Sequence, residues 1–322
     1  MQKQIRETPE IKSKLHPRNK HRTRYDLEEL SKAYPSLKEF LIINEYGNQT
    51  IDFFSNKAVK ALNTALLKYF YKVNYWDIPP HYLIPPVPGR ADYIHYIADL
   101  LAESNNGEIP KGEDVKCFDI GVGASCVYTI IGVEEYGWSF IASEIDRKAY
   151  ESSVKIVENN ENVKHKIDLR YQEDKYHLFK GVLEKSELID ITICNPPFHS
   201  SKEEAREANL RKLSNLKKKR ANNEERNFGG ISSELWCVGG ERKFVKNMIH
   251  ESLKYGYTCF WFTSLISREE NLFPLKKELE RVKAKDIKVI PMGQGNKHSR
   301  ILAWTFQTKD EQKEWFKSDL VK

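Results

Sequence analysis

The tetrapeptide Asn195-Pro196-Pro197-Phe198 carries the clearest chemistry in the chain. Two consecutive prolines hold an extended turn and remove the amide hydrogen at both positions. The carbonyls of such a turn, and the Asn195 side-chain oxygen, are left as acceptors that can face a substrate. The Phe198 ring adds a flat stacking face. This set suits methylation of a planar amine conjugated to a π system. The lone pair of such a nitrogen is delocalised, so both N–H groups must be held and the nitrogen steered toward the incoming carbon. Catalysis then rests on positioning and on stabilising the charge that develops on nitrogen. No strong general base is required.

A second set lies upstream. Asp119-Ile120-Gly121-Val122-Gly123-Ala124-Ser125 closes an apolar run, and Glu144 follows Gly121 by 23 positions. The glycines permit a tight turn and close approach of a ligand to the backbone. A carboxylate at about that spacing accepts hydrogen bonds from ribose hydroxyls. A dinucleotide site would want a third glycine so that pyrophosphate could reach the helix N-terminus; here the stretch reads Ala124-Ser125-Cys126-Val127-Tyr128. S-adenosylmethionine has no phosphate, and the missing glycine favours it. Further on, Tyr171-Gln172-Glu173-Asp174 offers polar groups where the cofactor adenine would lie. Gln172 and Asp174 are the expected contacts, with Glu173 as a helix-start residue.

Strands must carry these residues to one place. Runs at 115–120, 138–145, 166–171, 188–194, 257–265, 287–290 and 300–306 read as strands, and those from 124–136, 147–160, 241–253 and 269–282 as helices. The alternation predicts a parallel sheet covered on both faces, with the last two strands forming an antiparallel hairpin. Ligands then bind at the carboxyl ends of the central strands. Upstream, residues 25–71 read as helical, 78–90 as a proline-rich connector that excludes regular structure, and 91–103 as a further helix. Gly239-Gly240-Glu241 opens the helix after a long polar excursion, with Glu241 as a first-turn acid.

Charge is unevenly spread. Residues 1–24 hold eight Lys or Arg against two Glu, which equals the whole net charge of +6. Residues 202–226 hold nine Lys or Arg against five Glu, including Lys217, Lys218, Lys219 and Arg220 in succession. Neither segment has apolar periodicity, so both are expected to be flexible and to contact phosphates, through Arg18, Lys20, Arg22 and Arg24 in the first and Lys217–Arg220 in the second. The polar start lacks the apolar core of a secretory signal, and no apolar run is long enough to span a bilayer. Five scattered cysteines without a CxxC pair argue against a disulfide framework and against zinc; a reducing cytoplasm and no metal are expected.

The proline turn with the glycine turn and Glu144 resembles the adenine-N6 and glutamine-N5 amino-methyltransferases. Longer stretches narrow this: PPVPGRADYIHYIADLL (85–101), FDIGVGASCVY (118–128), CNPPFHSS (194–201), NFGGISSELWCVGGERKFVKNMI (227–249), WFTSLISREENLFPLKKEL (261–279) and GQGNKHSRILAWTF (293–306). From about Pro85 to Phe306 the chain resembles the bacterial RlmF family, which makes N6-methyladenine in 23S ribosomal RNA. It is more distantly similar to eukaryotic methyltransferase-like proteins that act on a small nuclear RNA.

The resemblance implies a class I, Rossmann-like S-adenosylmethionine-dependent methyltransferase fold: an open, mostly parallel seven-stranded sheet with an antiparallel last strand, plus an N-terminal helical extension. It implies cofactor contacts from Arg90, Gly121, Ser125 and Glu144, beside Asp119, Gly123, Gln172, Asp174 and Asn195, and a target-adenine site at Asn195, Pro196, Pro197 and Phe198. Arg90 is expected to pair with the methionine carboxylate. The expected partner is 23S ribosomal RNA or a large-subunit assembly intermediate, and the expected state is monomeric. The expected division is a basic tail (1–24), a helical extension (25–85), a catalytic domain (86–310) with a flexible insertion (199–230), and a C-terminal tail (311–322). Trp236 and His199 are read as a buried Trp and a turn His rather than RNA contacts. Alternatives are a protein glutamine-N5 methyltransferase and a non-catalytic RNA-binding module.

Overall fold

The structure, a computed structural model, describes residues 11–204, 206–207, 234–294 and 297–317. Its N-terminal part departs from the helical stretch expected over 25–71. Helix α1 (Leu27–Ala33) starts where the Asp26 carboxylate accepts the Glu28 and Glu29 amides, and it stops before Pro35. A small hairpin follows, β1 (Leu41–Ile43) and β2 (Gln49–Ile51). Its turn is made by Asn44, whose side chain accepts the amides of Tyr46 and Asn48. That is local turn chemistry, which a reading by helical spacing passes over.

Helix α2 (Asn56–Tyr71) begins at the Ser55 cap and buries Ala58, Ala61, Leu62, Ala65 and Leu66 as the spacing predicts, but Tyr69 faces solvent and Tyr71 takes its place inside. Helix α3 (Val87–Ala102) begins inside the proline-rich connector rather than after it. Proline is tolerated in a first helical turn because its missing N–H would be unpaired there anyway. The early start places Arg90 on the helix.

Strands β3 (Lys116–Ile120), β4 (Ser139–Glu144), β5 (Ile167–Tyr171), β6 (Ile189–Cys194), β7 (Cys259–Ile266), β8 (Asp286–Gln294) and β9 (Lys297–Thr305) form one sheet in the order β5-β4-β3-β6-β7-β9-β8. Only β9 runs against the rest, paired antiparallel with β7 on one side and β8 on the other. The hairpin strands extend beyond the apolar runs at 287–290 and 300–306, because backbone pairing continues into polar residues. Every residue of β6 and β7 is buried, as expected for strands covered on both faces.

The covering helices are α4 (Val127–Tyr136), α5 (Arg147–Glu158), α6 (Glu161–Lys164), α7 (Gly240–Ser252) and α8 (Leu272–Arg281). Two apolar layers result. One joins α2, α3 and α4 through Leu66, Ile94, Leu101 and Ile131; the other joins α7 and α8 through Met248, Leu275, Phe262 and Trp304. The strand order reverses between β3 and β6, and their carboxyl ends open a crevice there.

Both ends of the described chain are packed, which for residues 11–24 corrects the expectation of a flexible basic tail. Residues 11–24 strap across α3 and α4, with Leu15, His16, Asn19 and His21 buried. Asn19 donates to the Pro88 carbonyl at 2.8 Å and to Asp92 at 2.5 Å. Arg18 donates to Asp99 at 2.7 Å and to the Tyr136 hydroxyl at 3.1 Å, and Lys20 pairs with Glu135 at 3.0 Å. These two cations are committed to the protein's own carboxylates, whereas Arg24 is exposed and Arg22 partly so. At the other end, helix α9 (Lys309–Glu314) leads to Trp315, whose indole stacks on Phe260 and donates to Asp190 at 2.7 Å. Such docking rests on single anchors with partners far away in sequence, so no local periodicity announces it.

No helix among the described residues is long and apolar enough to cross a membrane. Lys217, Lys218, Lys219 and Arg220 lie outside the described residues.

Burial of the strap sets a pH dependence. His21 and His95 are both held down to about 3, first by burial and then by the electrostatic push of neighbours, led by Lys12 for His21 and by His16 for His95. Unfolding restores their ordinary affinity for protons. The unfolded chain therefore binds more protons below about pH 6.5, and stability falls as pH drops from there toward 3. Thermal melts between pH 7 and 5 should show this decline, and a His21→Gln, His95→Gln variant should show a shallower slope whatever its absolute Tm.

Candidate active site

A cavity of about 280 Å³ opens at the carboxyl ends of β3, β4 and β6. Among the residues expected in the site, Arg90, Gly121, Gly123, Ser125, Glu144, Gln172, Asn195 and Pro197 all line it. Four do not. Asp119 is buried beneath the glycine turn, Pro196 is buried in the elbow, Phe198 is half-buried outside the lining, and Asp174 is exposed. The Asp174 side chain instead caps its own turn by accepting the Tyr176 amide at 2.9 Å.

The glycine turn is built around a carboxylate. Gly121 and Gly123 take φ of +74° and +66°, a region that favours glycine. The Gly123 amide donates to Glu144 Oε2 at 2.8 Å, while Oε1 accepts the amides of Ile145 and Asp146, each at 2.8 Å. Burial pushes the Glu144 carboxyl up to about 7, against the pull of the Asp146, Gly123 and Ile145 amides and with a further upward push from Glu234. Asp119 is pushed up to about 8 by burial and by Glu144, with Arg90 opposing. Both of its carboxyl oxygens are buried without a partner among the described residues. A buried orphaned carboxylate is costly, and a cation from a ligand would relieve it. Arg90 is buried with one guanidinium nitrogen donating to the Tyr128 hydroxyl at 2.8 Å. Gln172 donates to the Lys180 carbonyl at 3.1 Å and accepts the Asp174 amide at 2.9 Å, which holds its side chain in place.

The Asn-Pro-Pro elbow is anchored from several directions. The buried Tyr93 hydroxyl on α3 lies 3.4 Å from the Cys194 carbonyl and 2.9 Å from the Thr263 hydroxyl. Beyond the elbow, Glu204 accepts from Ser200 and from Arg268, an arrangement that holds its carboxyl at about 2. Glu241, read from sequence as a first-turn acid, is buried and accepts from Ser267, Arg268 and Asn271, so it shapes the loop that carries Arg268. The Asn195 side-chain oxygen is buried and has no partner among the described residues. It is an acceptor kept ready at the cavity wall.

Among the lining residues that the sequence does not point to are Glu234, Lys175 and Trp236. Glu234 accepts the Leu83 amide at 3.0 Å and the Ala124 amide at 3.1 Å, bracing the connector against the glycine turn; nothing in its local sequence signals this. Lys175 was passed over in the polar stretch after β5, and Trp236 was assigned to the interior.

The family described as RNA methyltransferase has a model that matches residues 9–308. This chain belongs to that family. It is 49% identical over 314 residues, 98% of each chain, to the ribosomal RNA large subunit methyltransferase F of Cytophaga hutchinsonii. It is 53% identical over 303 residues to the protein of the same name from Bacteroides thetaiotaomicron, covering 92% of this chain and 98% of that one. The catalytic domain of human METTL16 in complex with MAT2A 3′UTR hairpin 1 superposes with a TM-score of 0.76 at 32% identity, over 92% of this chain and 96% of that one. The N-terminal domain of human METTL16 in complex with SAH gives 0.72 at 28% identity, over 91% and 99%.

The sheet is that of a class I S-adenosylmethionine-dependent methyltransferase, and the cofactor is S-adenosylmethionine. The residues present fit it: Asp119 is an orphaned acid, Arg90 has guanidinium nitrogens to spare, and Glu144 is fixed at the end of β4. When bound, the cofactor supplies an electrophilic methyl group. We expect Arg90 to pair with its carboxylate, Asp119 to act on its cationic end from beneath the glycine turn without touching it, and Glu144 to accept from its ribose.

Because burial raises both Glu144 and Asp119, each gains its charge only as pH rises through about 7 and 8. Affinity for the cofactor should therefore climb between pH 6 and about 7.5 in titration calorimetry, below the range in which the cofactor's own α-amino group gives up its proton. Asp119→Asn should flatten only the upper end of that climb. Glu144→Ala should weaken cofactor binding by about tenfold or more, since it also frees three backbone amides.

Proposed function

We propose that this protein transfers a methyl group from S-adenosylmethionine to the exocyclic N6 of one specific adenine in 23S ribosomal RNA. The observation that carries this reading is the Asn195 side-chain oxygen, buried without a partner among the described residues, beside Pro197 on the wall of the cavity that Glu144 also lines. An adenine amino group has two N–H donors and a delocalised lone pair. An oriented acceptor on one N–H and a proline-turn carbonyl on the other hold the nitrogen in line with the methyl carbon. They also stabilise the positive charge that grows on it. The surplus proton of the methylated nitrogen then passes to water, so no strong base is needed.

The relatives named ribosomal RNA large subunit methyltransferase F support large-subunit RNA as the substrate. A base inside a folded RNA must leave its stack to reach the elbow. The partner is 23S ribosomal RNA or an assembly intermediate of the large subunit, met in the cytoplasm by a monomer. A protein glutamine amide would make the same demand on the elbow, but the run Lys217–Arg220 and the RNA bound by METTL16 favour RNA.

Unmodified large-subunit RNA incubated with labelled S-adenosylmethionine should become labelled at a single adenine, located by mapping the modified nucleotide. Label on protein glutamine, or none on RNA, overturns the proposal. Asn195→Ala should lower turnover by about a hundredfold or more while cofactor affinity stays within a few-fold. Replacing Lys217, Lys218, Lys219 and Arg220 with alanine should weaken RNA binding and flatten its logarithmic salt slope by about 0.7 to 0.9 per lost phosphate contact.

A further inference from the structure

Strands β6 and β7 lie side by side beneath the elbow, yet their backbone pairing stops short of it. Ile189 pairs with Cys259 and Ile191 with Trp261, and beyond these no further pair forms among the described residues. On its other side β6 stays paired with β3 to its last residue, Cys194 opposite Ile120. Side-chain hydroxyls fill the gap. The Thr263 amide donates to the Thr192 hydroxyl at 2.9 Å, and the Thr263 hydroxyl donates to the Thr192 carbonyl. The Tyr93 hydroxyl enters between the strands from α3. It lies 2.9 Å from the Thr263 hydroxyl and 3.4 Å from both the amide and the carbonyl of Cys194.

Tyr93 is fully buried, and burial pushes its hydroxyl well above its ordinary range, so it stays protonated and is no base. A hydroxyl has one proton and two lone pairs. It can therefore take the Cys194 amide while donating to Thr263 or to the Cys194 carbonyl. Cys194 directly precedes Asn195, so its peptide sets the direction in which the elbow leaves the sheet. A strand end paired on both sides needs no such support. One paired on a single side is free to tilt unless something else holds it.

The same turn of α3 carries Arg90, three positions before Tyr93 and on the same face. Arg90 donates to the Tyr128 hydroxyl at 2.8 Å, and the Tyr128 and Tyr93 rings meet edge-on with centroids 5.4 Å apart. One helix thus holds both the expected anchor of the cofactor carboxylate and the support of the elbow.

We propose that Tyr93 is a positioning residue for methyl transfer: from α3 its hydroxyl closes the gap between β6 and β7, fixes the Cys194 peptide and so aims the Asn195 oxygen. The inference rests on the adenine-N6 reading above. A misplacement of about 1 Å in a positioned group is felt chiefly in the rate of the chemical step.

The test uses full-length protein, unmodified large-subunit RNA and labelled S-adenosylmethionine in single-turnover reactions. Tyr93→Phe keeps the ring and removes only the hydroxyl. The rate of methyl transfer should fall by about 10- to 100-fold, with Kd for S-adenosylmethionine and for RNA each within about twofold of wild type. Because Tyr93 acts through Asn195, the two losses should not multiply: on an Asn195→Ala background, Tyr93→Phe should cost less than about threefold. Thr263→Val, which removes the next hydroxyl in the gap, should show the same pattern and carries the test if Tyr93→Phe fails to fold.

An unchanged rate in Tyr93→Phe and in Thr263→Val overturns the proposal. So does a loss of the same factor with and without the Asn195 side chain, which marks a general loosening of the fold. A fall in S-adenosylmethionine affinity that matches the fall in rate also overturns it, by assigning Tyr93 to the cofactor site. Wild-type protein that labels no adenine defeats the function proposed above, whereas a labelling wild type that is indifferent to Tyr93 defeats this inference alone.

Discussion

The carboxylate of Glu144 has to be satisfied inside the protein, and the means by which it is satisfied build the cofactor end of the cavity. Its oxygens take the Gly123 amide from the end of β3 and the Ile145 and Asp146 amides from its own strand exit. The turn is thereby pinned by its N–H groups. Its carbonyls are drawn the other way: the Gly123 and Ala124 oxygens accept from Ser153 and Ser152 on α5, and the Ser125 oxygen accepts the Trp76 indole. The backbone of the turn is accounted for group by group, as buried backbone must be. Two glycines at positive φ are the conformational cost of that accounting.

The elbow at the end of β6 obeys the opposite logic. Its surroundings are braced by hydrogen bonds through Tyr93, Thr263, Glu204 and Arg268, while the Asn195 oxygen is left without a partner among the described residues. An acceptor held rigid and unpaired costs stability in the free protein and needs no reorganisation when a donor arrives. Glu144 and Asn195 are therefore two states of a polar side chain at a strand end: one spends its bonding capacity on the fold, the other leaves its oxygen buried without a partner among the described residues. Only about one strand separates them, since β3 lies between β4 and β6.

The N-terminal residues show where charge counting misleads. Eight basic residues in the first 24 read as a solvated arm. Within the described part, Leu15 supplies one apolar anchor, and Asn19, His16 and His21 bind Asp92, Asp99 and Tyr71. Arg18 and Lys20 answer carboxylates on the surface beneath the strap. A segment with one buried apolar residue has no amphipathic period to detect, yet it can dock when a surface presents acids at matching intervals. The hairpin at 41–51 was missed for a related reason: its stability comes from the Asn44 turn, and only Ile51 is deeply buried.

The alternation of apolar runs with helical spacing determined the sheet, its parallel sense and its reversed last strand, because burial on both faces demands continuous apolar strands. The glycine turn, the acid 23 positions on, and the Asn-Pro-Pro elbow were legible as well, since backbone conformation at each depends on the residue itself. Position relative to the cavity was not legible. Whether Asp174 turned inward, whether Phe198 lined the cavity, and whether Glu234 reached the glycine turn depended on how segments far apart in the chain close on each other. A residue type states which interactions it can make; which of them it does make is settled by the neighbours that the folded chain brings within a few ångströms.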